Sequence, residues 1–395
     1  MNLIKIILSP FASIYGAITS ARNLLFNCGI LKSYHSKITV ISVGNLSLGG
    51  TGKTPHVAHI LDLVKMKNRA VISRGYKRKT KGMIEGDTKI HSAKDLGDEP
   101  LELLTKFEGP NFKMIVEAER RKALQYLENH SDKSDIIILD DAFQHRYAHR
   151  DLNILLSDYS NPFYADFIVP MGRLRESRKG AQRADIIIVT KCPKEISKKE
   201  QEEIRKKIEN YSKASVYFSQ ISYKGLIDKD NSIVPLDSNK KYLLITGIAN
   251  PTPIYEYLAE NKIHFAAKKY SDHHNFSRKD IQDIVKKSEN CDGIITTEKD
   301  WMRLQETEVS KLISIEMYRL IKGDHDLAVI RVVSCITTLV RSRIVGTAAA
   351  AISRIMPTAA AAAGITTTTT CSCIRSAASA KTTIFTHVLS AAVRV

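Results

Sequence analysis

Cysteine is scarce in this chain. Only 6 of 395 residues are cysteine, and Cys28, Cys192, Cys291, Cys335, Cys371 and Cys373 lack the paired C-x-x-C spacing of a zinc site. That pattern argues against a disulfide framework and points to a reducing compartment. Acids are outnumbered, with 42 Asp+Glu against 59 Lys+Arg and a formal charge of +17. The surplus favours anionic partners without choosing among nucleotide, nucleic acid and acidic membrane. No carboxylate follows Asp326, where alanine runs at 348–351 and 359–363 and a threonine run at 366–370 take over. Residues 323–395 therefore read as a low-complexity, disordered tail without function. Long apolar runs are missing as well: Lys5, Ser9, Pro10, Ser13 and Arg22 interrupt the first 30 residues, which excludes a convincing membrane span. No small-residue cleavage site follows to mark a signal peptide.

What residues 1–30 do contain is an amphipathic pattern. Leu3, Ile7, Phe11, Ile14, Ile18 and Leu25 recur at helical steps, and Ser9 before Pro10 resembles an N-cap with proline at the first helical position. Such a helix either packs on a core or lies in a bilayer interface. From residue 38 onward apolar β-branched runs alternate with helical stretches, the βαβ order of a parallel, doubly wound sheet. The expected division is an N-terminal helix at 1–30, a nucleotide-binding α/β domain at 31–214, a two-stranded linker at 215–236 and a smaller α/β domain at 237–322. The smaller domain has expected strands at 242–246, 264–267, 293–296 and 312–315.

The densest signal lies at 44–55, where a strand runs into Gly44-Asn45-Leu46-Ser47-Leu48-Gly49-Gly50-Thr51-Gly52-Lys53-Thr54-Pro55. A strand feeding a glycine-rich turn that ends in Gly-Lys-Thr forms a ring of backbone N–H groups at a helix N-terminus, which cradles nucleotide phosphates. The general pattern has a glycine where this chain has Ser47, and Gly49 and Gly50 can still make the turn. Lys53 then reaches the β/γ-phosphates, Thr54 places its hydroxyl on Mg²⁺, and the N–H groups from Gly50 to Thr54 face the phosphates, with Leu48, Gly49, Gly50, Thr51, Gly52, Lys53 and Thr54 as the expected nucleotide-binding residues.

Four apolar residues at 136–139 end in Asp140 and Asp141, as a Walker B element requires for Mg²⁺. Gly97-Asp98-Glu99-Pro100 places two acids before a helix, where they complement its dipole or take part in chemistry. Asp272-His273-His274 lies on a loop of the smaller domain. If a cleft closes, a His from one domain can tune an Asp from the other as general base. Basic clusters at 74–78, 120–121 and 173–175 suit phosphate binding.

In this order the motifs resemble the tetraacyldisaccharide 4'-kinase family of lipid A biosynthesis. The set also includes Ser73-Arg74-Gly75-Tyr76, Asp140-Asp141-Ala142-Phe143-Gln144-His145, Gly172-Arg173-Leu174-Arg175-Glu176, Gly247-Ile248-Ala249-Asn250-Pro251 and Thr297-Glu298-Lys299-Asp300. The resemblance implies transfer of the ATP γ-phosphate to the 4'-hydroxyl of a tetraacylated disaccharide 1-phosphate. By motif matching Asp98 is the general base and His273 its partner. Lys53, Thr54, Asp140, Asp141 and Glu99 handle ATP and Mg²⁺, and Arg74, Tyr76, Gln144 and Arg175 meet substrate. It further implies a monomer attached peripherally, through its first helix, to the cytoplasmic face of the inner membrane. The alternative is a P-loop switch ATPase of the partitioning or metal-insertion type. A basic nucleic-acid binder is disfavoured because no aromatic stacking motif accompanies the lysines.

Overall fold

The computed structural model describes residues 3–322 apart from 131–133, 222, 229–231, 249, 273 and 306–316. The expected tail and the expected strand at 312–315 lie outside the described residues. Eight strands form the first sheet: β1 (Thr39–Asn45), β2 (Arg69–Ser73), β3 (Ile84–Glu85), β4 (Phe112–Val116), β5 (Ile136–Asp140), β6 (Leu152–Asp158), β7 (Ile186–Cys192) and β8 (Ser215–Gln220). Their spatial order is β3-β4-β2-β5-β1-β6-β7-β8, and every pairing is parallel except that of the short β3 with β4. A second sheet contains β9 (Tyr223–Ile227), β10 (Ile233–Val234), β11 (Lys241–Thr246), β12 (His264–Lys269), β13 (Gly293–Thr297) and β14 (Met317–Lys322), in the order β10-β9-β14-β13-β11-β12. The segment at 215–236 thus gives β8 to the first sheet and β9 and β10 to the second.

The helices are α1 (Leu3–Asn27), α2 (Lys53–Leu63), α3 (Ala93–Leu96), α4 (Asp98–Phe107), α5 (Arg120–Asn129), α6 (Lys198–Glu209), α7 (Thr252–Glu260), α8 (Arg278–Ser288) and α9 (Glu298–Gln305). Every residue of β1 is buried, as a strand covered on both faces requires. Its neighbours are β5 on one side and β6 on the other, with Val43 opposite Asp140. This is the switch point of a doubly wound sheet, where ligands bind beyond the strands' carboxyl ends. The loop after β1 and the acids after β5 are therefore side by side.

Two helix starts differ from the sequence reading. Helix α1 runs through Pro10 rather than starting there. The missing N–H at that position deprives a carbonyl one turn back, which is tolerable on a largely exposed helix where water can serve it. Helix α4 begins at Asp98, so Asp98 and Glu99 belong to its first turn instead of a preceding loop. No side-chain cap protects that N-terminus, and two acids there complement the dipole.

The face that α1 turns inward is narrow: Ala12, Gly16, Thr19 and Phe26 are buried. Outward it shows Ile7, Phe11, Ile14 and Ile18, each about 60% exposed, together with Leu25. The described helices include none long and apolar enough to cross a membrane.

Candidate functional site

The loop after β1 closes on Gly52, whose φ of +85° at the N-cap of α2 favours glycine over any residue with a Cβ. The first N–H groups of α2 have no side-chain cap and remain available to an anion. Several bonds hold the loop in shape. Asn45 Nδ2 donates to Thr51 Oγ1 at 2.8 Å, Thr190 Oγ1 donates to the Thr51 carbonyl at 2.9 Å, and His56 Nδ1 lies 2.7 Å from the Gly52 carbonyl. Lys191 reaches from the end of β7 to the Gly50 carbonyl and to Asp158, 2.7 Å away. Thr190 and Lys191 escaped the sequence reading, their only signal being a polar pair after an apolar strand.

Lys53 Nζ stands 3.7 Å from Asp141, which is also held by Arg175 at 2.8 Å. Burial pushes the Asp141 carboxyl up, but Lys53 and Arg175 together outweigh it and hold it below the ordinary range. Asp140 goes the other way. Burial, then the nearby Glu99 and Asp141 carboxylates, raise it to about 7 against the pull of Lys53 and a 3.0 Å bond from Ser73. Its Oδ1 is buried without a hydrogen-bond partner, so a cation would relieve both the desolvation and the repulsion. Among the described residues no group of three or more His, Cys, Asp or Glu is arranged to hold a metal alone. That suits Mg²⁺, which is ordinarily bound by one or two carboxylates plus substrate phosphates. The orphaned Asp140 oxygen, with the Asp141 and Glu99 charges close by, fits such an ion.

Asp98 is paired with Arg303 of α9, its Oδ2 accepting from Nε at 3.2 Å and from a closer Nη2. Arg303 also contacts the fully buried Asp300 at 3.3 Å, and Asp300 accepts from the Gly247 N–H and from Thr297 Oγ1, each at 2.8 Å. Gly247 and Thr297 thus hold Asp300, which in turn pairs with the Arg303 that meets Asp98. Arg303 was absent from the sequence reading because it is 205 residues from its partner. His273 lies outside the described residues. Its neighbour Asp272 lines the cleft and ion-pairs with Lys299 at 3.4 Å.

The residues expected to meet substrate divide into two groups. Arg74 and Tyr76 are exposed and line a separate hollow. Gln144 and Arg175 support the acids from behind: Gln144 Nε2 donates to the Asn45 carbonyl at 2.7 Å and to Glu176 at 3.2 Å. Glu176 is fully buried and also accepts from Arg183 and from Asn23 of α1, each at 2.7 Å. Nearby, burial followed by the positive charges of Arg120 and Arg150 lowers the His145 imidazole to about 4.

A neutral folded His145 has a measurable consequence. Between the unfolded value near 6.5 and the folded value of about 4 the unfolded chain binds more protons, so stability is full above pH 6.5 and drains away as pH falls through 4. Urea titrations at pH 7 and pH 4 should differ by on the order of 2 kcal/mol from this group, after allowing for partial screening. His145→Gln should flatten that difference, and an unchanged pH dependence would refute the assignment.

A cleft of about 1210 Å³ is lined by the loop after β1, Lys53, Glu99, Lys191, Asp272 and Lys299. The family model for tetraacyldisaccharide-1-P 4'-kinase matches residues 4–328. The chain belongs to this family. A tetraacyldisaccharide 4'-kinase of Flavobacterium johnsoniae is 44% identical over 327 residues, covering 82% of this chain and 93% of that protein. Another, from Flavobacterium psychrophilum, is 46% identical over 311 residues, covering 78% and 89%. Among solved structures, the "apo" form of LpxK from Aquifex aeolicus in complex with ATP superposes with a TM-score of 0.67 at 29% identity, covering 85% of this chain and 99% of that one. Tetraacyldisaccharide-1-P 4'-kinases are thus its relatives by sequence and by fold, and nothing in these likenesses supports the switch-ATPase alternative.

Proposed function

We propose that this protein transfers the γ-phosphoryl group of ATP to the 4'-hydroxyl of a tetraacylated disaccharide 1-phosphate, with Asp98 accepting the hydroxyl proton. The observation that carries the reading is the cleft itself. An uncapped helix N-terminus and Lys53 line it, and behind Lys53 lies an acid pair with an orphaned carboxylate oxygen. The N–H groups from Gly50 through Thr54 cradle the phosphates, and Lys53 moves from Asp141 onto the β/γ oxygens. Bound Mg²⁺ neutralises charge on the phosphoryl group in flight. Arg303 orients Asp98, and His273 from the same lobe is the proposed second partner. Because the transition state for phosphoryl transfer is loose, positioning and charge neutralisation matter more than strong base catalysis.

The test supplies ATP, Mg²⁺ and the disaccharide 1-phosphate and follows the phosphorylated lipid. The native chain should produce it, and Lys53→Met should reduce the rate on the order of 10²-fold or more. ATP hydrolysis without lipid phosphorylation would overturn the reading.

The acceptor is a lipid, so the enzyme works at a membrane surface, the cytoplasmic leaflet in this proposal. The outward row of Ile7, Phe11, Ile14 and Ile18 supports docking there, aided by the basic surplus. Deleting residues 1–30 would release the protein but would also break the Asn23–Glu176 bond. Point changes are cleaner. Changing these four residues to Ser should lower partition into anionic vesicles at least about a hundredfold, at about 1 kcal/mol or more per side chain, with the fold unchanged because they face outward. Sedimentation with vesicles measures it, and undiminished binding would contradict the docking face.

A further inference from the structure

The acceptor of this family already carries a phosphate, so it needs an anion site besides the nucleotide cleft. We propose that the loop after β2 provides it, in a hollow of about 510 Å³ lined by Arg74, Tyr76, Lys77, Arg78, Lys81 and Glu117. This inference rests on the kinase reading above. Residues 74–81 hold five cations, Arg74, Lys77, Arg78, Lys79 and Lys81. Among the described residues no carboxylate forms an ion pair with Arg74, Lys77, Arg78 or Lys81. Such clustering is self-repelling unless an anion joins it.

The cluster is also built rather than free. Gly75 has φ +69°, and a Cβ on it would come within 2.4 Å of Val116 Cγ1 and 2.8 Å of the Leu96 carbonyl, so the loop is folded tightly onto β4 and α3. Arg78 donates to the Gly82 carbonyl at 2.6 Å and to that of Val116 at 3.3 Å. The Lys79 N–H donates to the Lys94 carbonyl at 2.7 Å, and Thr80 Oγ1 to that of Asp95 at 2.5 Å. Gly97, which precedes Asp98, abuts the loop so closely that a Cβ on it would lie 3.0 Å from the Tyr76 carbonyl. The loop thus adjoins the residue before Asp98, and in this assignment the phosphate on the acceptor's far ring meets Arg and Lys side chains suited to a phosphate monoester.

The same chemistry could come from an anionic phospholipid headgroup, and the test separates the two. The full chain and Lys77→Gln/Lys81→Gln are assayed in neutral detergent micelles with the disaccharide 1-phosphate and with its analogue bearing a free 1-hydroxyl. The double variant should raise KM for the phosphorylated acceptor at least tenfold with kcat within twofold, and should move KM for the hydroxyl analogue less than twofold. Lys77→Arg/Lys81→Arg should restore the preference. An equal rise on both acceptors, or none on either, overturns the proposal. So does a defect confined to binding of anionic phospholipid vesicles, which would assign the cations to the bilayer. Failure of the native chain to phosphorylate either acceptor would instead overturn the kinase reading.

Discussion

Asp98→Asn should lower kcat by about 10²- to 10⁴-fold, the range for loss of a positioned proton acceptor, while KM for ATP changes only a few-fold. Asparagine keeps the side chain's shape and can still accept from Arg303, so the deficit would reflect chemistry rather than collapse. Asp98→Ala is a harsher change, since it takes a carboxylate away from the buried Arg303 guanidinium. His273→Ala should also show a shortfall in kcat that exceeds any change in KM. Steady-state assays on both substrates decide the matter. Retention of most of the rate by Asp98→Asn would remove Asp98 as the base.

Glu176→Ala should destabilise the fold by about 3–5 kcal/mol, the cost of breaking a buried pair by removing one partner. The carboxylate is fully buried and gathers Arg183, Asn23 and Gln144, so its loss takes an acceptor from a guanidinium and two amides. Glu176→Gln should lose less, because it still accepts hydrogen bonds while giving up the charge. The effect should spread to ATP binding, since Gln144 and Arg175 stand between this carboxylate and Asp141. Urea midpoints and KM for ATP measure the two consequences. A loss below about 1 kcal/mol would show that the cluster relaxes around the gap.

Legibility in the sequence followed the distance over which each feature is encoded. The phosphate loop could be read because strand, glycines, Lys53 and Thr54 are contiguous and local backbone geometry makes the site. The acids after β5 could be read because an apolar run ending in Asp is a local pattern. Helix α1 was legible as amphipathic, but the direction of its apolar row was not. In the structure its small residues face inward, because the body it packs on admits Ala12 and Gly16 closely, a Cβ on Gly16 coming 3.0 Å from Ile168. Gln144 and Arg175 were read as substrate contacts from their motif positions, and their bonds to Asn45, Glu176 and Asp141 are seen only in the fold.

The residues alone determined that a glycine-rich loop and an acidic strand end exist, since these depend on neighbours in the chain and on the continuous apolar runs of strands buried on both faces. Tertiary structure decided which charge meets which: Arg303 at Asp98, Glu176 under Gln144, and the basic loop beside Gly97. Such pairings have no local signature. They arise when two sheets and their helices bury their apolar faces, and that packing, driven by desolvation, brings distant ionic groups within reach of one another.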